Sequence, residues 1–137
     1  MYLILEALFA VFLFSVATIF LVRRVENRMM FAPVTKHRLT PDQFGLDPEE
    51  VWITVGGDGN KIHAWYFKSI PGERLIFYAH GNAGNIADRL PVIKGYVESG
   101  FDVFIFDYRG FGKSGGRPTR KSFIEDSFAA YGCLTKT

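Results

Sequence analysis

The sequence predicts an α/β fold behind a membrane-spanning helix, and three observations carry that prediction. The stretch Tyr2 to Val22 is 21 residues long and holds a single charge, Glu6. Two later runs, Leu75–Ala79 and Val103–Phe106, are unbroken apolar stretches. Strands covered on both faces look like this, and such strands are usually parallel. Between them lies a helical pattern of roughly Arg89 to Ser99, and strand, helix, strand at this spacing is a βαβ unit.

Composition narrows the classes. The chain has 137 residues, 48% of them hydrophobic, 16% aromatic and 22% charged. That is too rich in aromatic and branched residues for disorder. Cys133 is the only cysteine, which rules out a disulfide scaffold. Beyond Val22 the chain carries 16 Lys and Arg against 13 acids, a small and scattered excess that does not suit a nucleic-acid binder.

The first segment, 2–22, spans roughly 30 Å as a helix, the thickness of a bilayer's hydrocarbon. Glu6 lies one turn from its start, where it reaches the interface. A cleaved signal peptide would begin with basic residues and end in a small-residue site. A buried core helix would be shorter or show a polar face. Here the basic residues Arg23, Arg24, Arg28, Lys36 and Arg38 follow the run instead. A single-pass anchor is expected, with the body on the cytoplasmic side by the positive-inside rule.

Residues 23–50 read as a polar connector with Pro33, Pro41 and Pro48, and residues 51–137 as the domain. Val51–Val55 and Ile62–Phe67 alternate like strands around the turn-forming Gly56-Gly-Asp-Gly-Asn60, and are expected to pair as an antiparallel hairpin. For the helix of roughly Arg89 to Ser99, Asp88 is the expected N-cap, Pro91 fits its first turn and Gly100 its left-handed end. Ser122 to Leu134 is a second amphipathic helix, with Phe123, Ile124, Phe128 and Tyr131 at helical spacing.

Chemistry is expected in two glycine-rich loops at the carboxyl ends of the parallel strands. The first is His80-Gly-Asn-Ala-Gly-Asn85. Gly81 and Gly84 permit tight turns, and backbone N–H groups there would suit a developing oxyanion. By composition alone, an ordinary strand-to-helix turn is an equal reading. The second is Asp107-Tyr-Arg-Gly-Phe-Gly-Lys-Ser-Gly-Gly116. Gly110, Gly112 and Gly115 spell a dinucleotide fingerprint, but Arg117-Pro118-Thr119 intervene where a helix should open at once. Gly112-Lys113-Ser114 echoes a P-loop end without its earlier glycine. Gly112-Lys-Ser-Gly-Gly116 spells a nucleophile elbow, yet Ser114 lies in a long loop and not on a strand-to-helix turn. Its expected role is to shape the loop by hydrogen bonding.

Taken together, HGNAGN and FIFDYRGFGKSGGRPT resemble the α/β-hydrolase fold, and in particular its single-pass, membrane-anchored serine hydrolases. The resemblance covers roughly Met29 to Leu134, including the MMFAP start and the VWITVGGDGNKIHAWYF hairpin. It implies the N-terminal half of an α/β-hydrolase sheet, an antiparallel hairpin followed by a parallel βαβ unit. It implies an oxyanion-hole N–H from Asn82, or from Ala83 if the register shifts by one. His80, Gly81, Asp107, Arg109 and Ser114 would then be structural, with Arg109 bracing its own loop. Triad order in this fold is Ser, then acid, then His, so His80, Asp102 and Asp107 come too early. His37 and His63 read as surface groups.

The family's nucleophile follows one more strand, beyond the helix ending near Leu134. The resemblance therefore implies an N-terminal fragment with part of the oxyanion hole and no catalytic residue, inactive by itself. The Leu75–Ala79 strand would be an exposed apolar edge, and this chain made alone is expected to be unstable or to aggregate. The whole enzyme would cleave ester, thioester or amide bonds, with lipid esters or acylated proteins near the membrane as substrates. Neither cofactor nor metal is expected. The alternatives are a non-enzymatic, membrane-anchored interaction module and, third, nucleotide binding through the second loop.

Overall fold

The computed structural model describes residues 2–57, 59–70, 72 and 74–135. They form α1 (Tyr2–Met30), β1 (Ala32–Pro33), a 3₁₀ turn (Pro41–Phe44), β2 (Glu49–Val55), β3 (Asn60–Phe67), β4 (Arg74–Ala79), β5 (Ala83–Gly84), a second 3₁₀ turn (Ile86–Arg89), α2 (Leu90–Glu98), β6 (Phe101–Phe106) and α3 (Arg120–Leu134). The chain divides into two compact units, Met1–Met30 and Phe31–Thr137. Asp58 of the expected hairpin turn and the last two residues of the expected domain lie outside the described residues.

The first unit is α1 alone. Its most apolar stretch has a mean hydropathy of 2.5, and it is long and apolar enough to cross a membrane. The hydroxyls of Ser15 and Thr18 donate to the carbonyls of Val11 and Phe14, each at 2.8 Å, so these polar groups are satisfied within the helix. The helix continues past Val22 through Arg23–Met30, because Arg, Glu and Met are good helix formers. It stops before Ala32, which precedes Pro33 and is steered out of the α region. The expected connector is thus helical over its first part, and the rest of it, from Phe31, belongs to the second unit.

In the second unit the main sheet has the order β2-β3-β6-β4. The hairpin pairs antiparallel, with Glu49 opposite Tyr66 and Val55 opposite Asn60. β6 inserts between β3 and β4, antiparallel to the first and parallel to the second. Side chains alternate along β6. Val103 and Ile105 join Trp65, Phe67, Leu90 and Ile93 in the core on the α2 side. Phe104 and Phe106 face the other way, against Phe77, which meets Tyr131 of α3 at 5.9 Å. The unbroken apolar runs are thus explained by helices on both faces. β3 is likewise central, so Ile62 to Trp65 are all buried, and the polar-out alternation expected of this strand is not found.

Two details of the helices differ from expectation. The turn before α2 is capped by Asn85, whose side chain accepts the Ala87 N–H at 3.0 Å. Asp88 instead closes the capping box, accepting the Asn85 N–H at 3.0 Å. Gly100 does take the left-handed conformation, at φ +83°. In α3 the buried positions are Ser122, Asp126 and Ala130. Of the expected apolar stripe, Phe123 turns inward to stack on Tyr108, while Ile124, Phe128 and Tyr131 are 60%, 73% and 55% exposed.

Candidate functional site: two loops at the sheet edge

The HGNAGN loop leaves the carboxyl end of β4 and is held in place residue by residue. Asn82 and Ala83 are exposed at its crest, whereas His80 and Asn85 at its two ends are buried. On one side the loop forms a short parallel ladder, with Ala32 opposite Ala83. The Ala32 N–H donates to the Asn82 carbonyl at 2.9 Å, and the Val34 N–H to the Gly84 carbonyl at 3.1 Å. Arg89 Nη2 donates to the Ala83 carbonyl at 2.8 Å. Asn85 Nδ2 reaches out to the carbonyls of Val34 and Lys36, at 2.9 and 3.0 Å. Gly84 must be glycine: at φ +79° a Cβ would run into the Asp88 carboxylate.

Asp107 joins this loop to the second one. It is fully buried just past β6. Its Oδ1 accepts the Ile86 N–H at 3.0 Å, and Oδ2 faces His37 Nε2 at 3.2 Å. His80 Nδ1 donates to the Gly81 carbonyl at 2.7 Å, while its Nε2 stands 3.3 Å from Asp107 Oδ1, off the line of a hydrogen bond. Burial works to raise the Asp107 pKa, but the His37 and His80 rings and the Ile86 N–H outweigh it and hold the carboxyl below its ordinary value. Asp107 is therefore an ionised structural hub.

Ser114 is locked in place. Its Oγ donates to the Asp107 carbonyl at 2.7 Å and accepts the His63 N–H at 2.9 Å. Both polar roles of its hydroxyl are used, and the group is buried. Arg109 reaches beyond its own loop. Its backbone N–H and Nε both grip Asp126 on α3, at 2.8 and 2.7 Å, and Nη2 reaches Glu125 at 2.7 Å. The dinucleotide reading has no support from the backbone: the glycines turn back on themselves, with the Gly110 N–H on the Gly115 carbonyl, and α3 starts only at Arg120.

The expectation for His37 and His63 is overturned. His63 is fully buried on β3, its ring 4.8 Å from Trp52 and 5.6 Å from Trp65. Its Nε2 faces Glu50 Oε1 at 3.3 Å. Burial pushes its imidazole below the ordinary pKa, which keeps it neutral. His37 is partly covered and lies against the same cluster, with its ring 5.6 Å from His63. Two further residues that sequence reasoning missed are Asn85 and Asp126. Asn85 was in plain view as the last letter of HGNAGN. Asp126 shares a face with Ser122 and Ala130, and that small and polar stripe was the available signal.

Residues 74–131 match the sequence profile described as the alpha/beta hydrolase fold. The Escherichia coli K12 protein YfhR, itself named as uncharacterized, is 37% identical over 127 residues, covering 86% of this chain and 42% of that protein. A Saccharomyces cerevisiae protein, YNL320W, named as an uncharacterized membrane protein, is 32% identical over 128 residues, covering 90% of this chain and 44% of that one. The lysophosphatidylserine lipase ABHD12 of Danio rerio is 37% identical over 101 residues, covering 64% of this chain and 26% of the lipase. Among solved structures, the Pyrococcus furiosus esterase Pf2001 superimposes with a TM-score of 0.65 at 27% identity, over 79% of this chain and 42% of the esterase. The chain thus spans less than half the length of these relatives.

Proposed function

The body of this chain belongs to the α/β-hydrolase family, and from that premise we propose that it is the oxyanion-binding front part of a membrane-anchored serine hydrolase. The observation that carries this reading is the pinned HGNAGN crest. A loop that must stabilise a developing negative charge gains from donors fixed before the reaction begins. Ala32, Val34, Arg89 and Asp107 all hold this one in shape. Asn82 supplies the backbone N–H, and Ala83 is the second candidate.

In this reading none of the described residues serves as the nucleophile, triad acid or triad histidine. Ser114 is committed to two hydrogen bonds, Asp107 to three partners, and His63 and His80 are buried in structural roles. Chain that follows residue 137 would carry the triad. Ester or thioester bonds of membrane lipids and acylated proteins are the substrate class, supported by the apolar α1 and by the lipase and esterase among the relatives. A body on the cytoplasmic side is the orientation that the basic residues after the apolar run support.

The test is fluorophosphonate labelling. The 137-residue chain should remain unlabelled. A protein extended along its reading frame should be labelled, and Asn82→Pro, which removes the backbone donor, should lower its kcat by about 100-fold or more. Labelling of the short chain that disappears in Ser114→Ala would sink the reading.

A second reading rests on the exposed Ile124, Phe128 and Tyr131 beside Phe77. Such a patch suits a non-enzymatic interaction module. Recovery of the native chain at this length in a stable complex would favour it over the hydrolase.

A further inference from the structure

His37, His63 and Asp107 come from three separate parts of the chain: the segment before β2, strand β3 and the loop after β6. Each offers one ligand atom, and these atoms lie within 4.8 Å of one another. We propose that the three residues form a binding site for a divalent transition-metal cation of the zinc class.

The chemistry of the set fits. Imidazole nitrogen and carboxylate oxygen are ligands for zinc, at about 2.0–2.2 Å. On a tetrahedral ion, two such atoms stand about 3.4 Å apart. His37 Nε2 and Asp107 Oδ2 are already 3.2 Å apart. His63 offers a ring nitrogen within 4.8 Å of both.

His63 carries the mark of an oriented ligand. Its Nε2 faces the Glu50 carboxylate at 3.3 Å, and its Nδ1 is buried without a hydrogen-bond partner among the described residues. A carboxylate on one ring nitrogen fixes the tautomer and raises the basicity of the other, the arrangement found behind metal-bound histidines. A cation on Nδ1 would satisfy an atom otherwise buried at a cost.

Charge and access also agree. Asp107 and Glu50 supply two carboxylates to the cluster, and Lys113, paired with Glu50, supplies one positive charge. The surroundings of an incoming dication are therefore net negative. His37 lines a cavity of about 360 Å³ together with Trp65, Glu50 and Lys113. The cavity reaches the cluster from the His37 side. Asp107 also accepts the Ile86 N–H, so an ion here would fix one end of the HGNAGN loop. The proposal does not depend on the hydrolase reading.

The test uses the full chain in detergent micelles, stripped with a chelator. Titration with Co²⁺ should give the visible absorption of a four-coordinate ion at one equivalent per chain, and Zn²⁺ should displace it. His37→Gln keeps a polar group at that position but removes the nitrogen ligand, and should weaken binding by about 100-fold. Cys133→Ser should bind as the parent does. Zn²⁺ should raise the melting temperature of the parent and not that of His37→Gln. Circular dichroism of both metal-free proteins confirms that each is folded. Absence of stoichiometric Co²⁺ in the folded parent, or equal binding by His37→Gln, overturns the proposal.

Discussion

Arg109 and Asp126 meet twice: the Arg109 backbone N–H bonds one carboxylate oxygen at 2.8 Å, and its Nε bonds the other at 2.7 Å. The contact locks the second loop onto α3. Burial pushes the Asp126 carboxyl up, and the Arg109 bonds and charge offset this only in part. Burial opposes the Arg109 charge too, but Glu125 and Asp126 outweigh it and push its pKa up. Two short, well-aligned donors favour the ionised pair. Asp126→Ala should therefore destabilise the body by about 3 kcal/mol, because it leaves a largely buried guanidinium short of a partner. Urea unfolding of the two proteins measures this, and a loss below about 1 kcal/mol would contradict the role assigned to the pair.

Ser114→Ala removes one hydroxyl and orphans two buried groups, the His63 N–H and the Asp107 carbonyl. A cost of about 1–3 kcal/mol in unfolding free energy is expected. In a longer, active protein the same change should lower stability while sparing the nucleophile, so fluorophosphonate labelling of the folded fraction should persist.

Gly112 is at φ +49°, and a Cβ there would overlap Asp107 Oδ2 and come within 2.7 Å of His37 Nε2. Gly112→Ala should cost about 1–3 kcal/mol through overpacking. At Gly57 a Cβ meets nothing within 4 Å and the φ is not left-handed, so Gly57→Ala should be nearly neutral in the same melt.

Two windows of pH sensitivity follow. His63 has a lowered pKa in the folded state, so the unfolded chain takes up its proton first as pH falls. The stability this gives is present above about pH 6.5 and declines below it. Asp107 is also held low, so its contribution is present above about pH 4 and is lost as pH falls through the folded value. Melting temperature should therefore fall in two steps, and His63→Gln should abolish the upper one.

Phe128 is 73% exposed while Ala130, two residues on, is fully buried. Phe128→Lys should change stability by no more than about 0.5 kcal/mol, and Ala130→Leu should destabilise by about 1–3 kcal/mol. The reverse order would mean that α3 is rotated from the orientation described.

The sheet was legible because its signal is local. Leu75–Ala79 and Val103–Phe106 announce strands covered on both faces, and the hairpin announces itself by its turn residues. The burial of α3 was misread for a physical reason. Its inward face is Ser122, Asp126 and Ala130, small or charge-paired residues that serve Arg109 and close packing. Its large apolar residues point elsewhere, and the period alone does not say which stripe is inside. His37 and His63 failed differently. A histidine's burial depends on partners far along the chain, here Asp107 at 70 residues' distance and Glu50 across the hairpin. Ser114 and Gly112 show why letters are not enough: an elbow and a P-loop demand backbone context, and here the glycines turn back on themselves ahead of α3.

The place of β6 between β3 and β4 has a bearing on synthesis. As the polypeptide leaves the ribosome, β3 and β4 emerge one after the other but share no hydrogen bonds. Among the described residues β4 pairs in the main sheet with Phe101–Phe106 alone, so it must wait for that strand. Until then Ile76, Phe77 and Tyr78 lack that partner in the nascent chain, and an apolar strand without a partner is prone to aggregate.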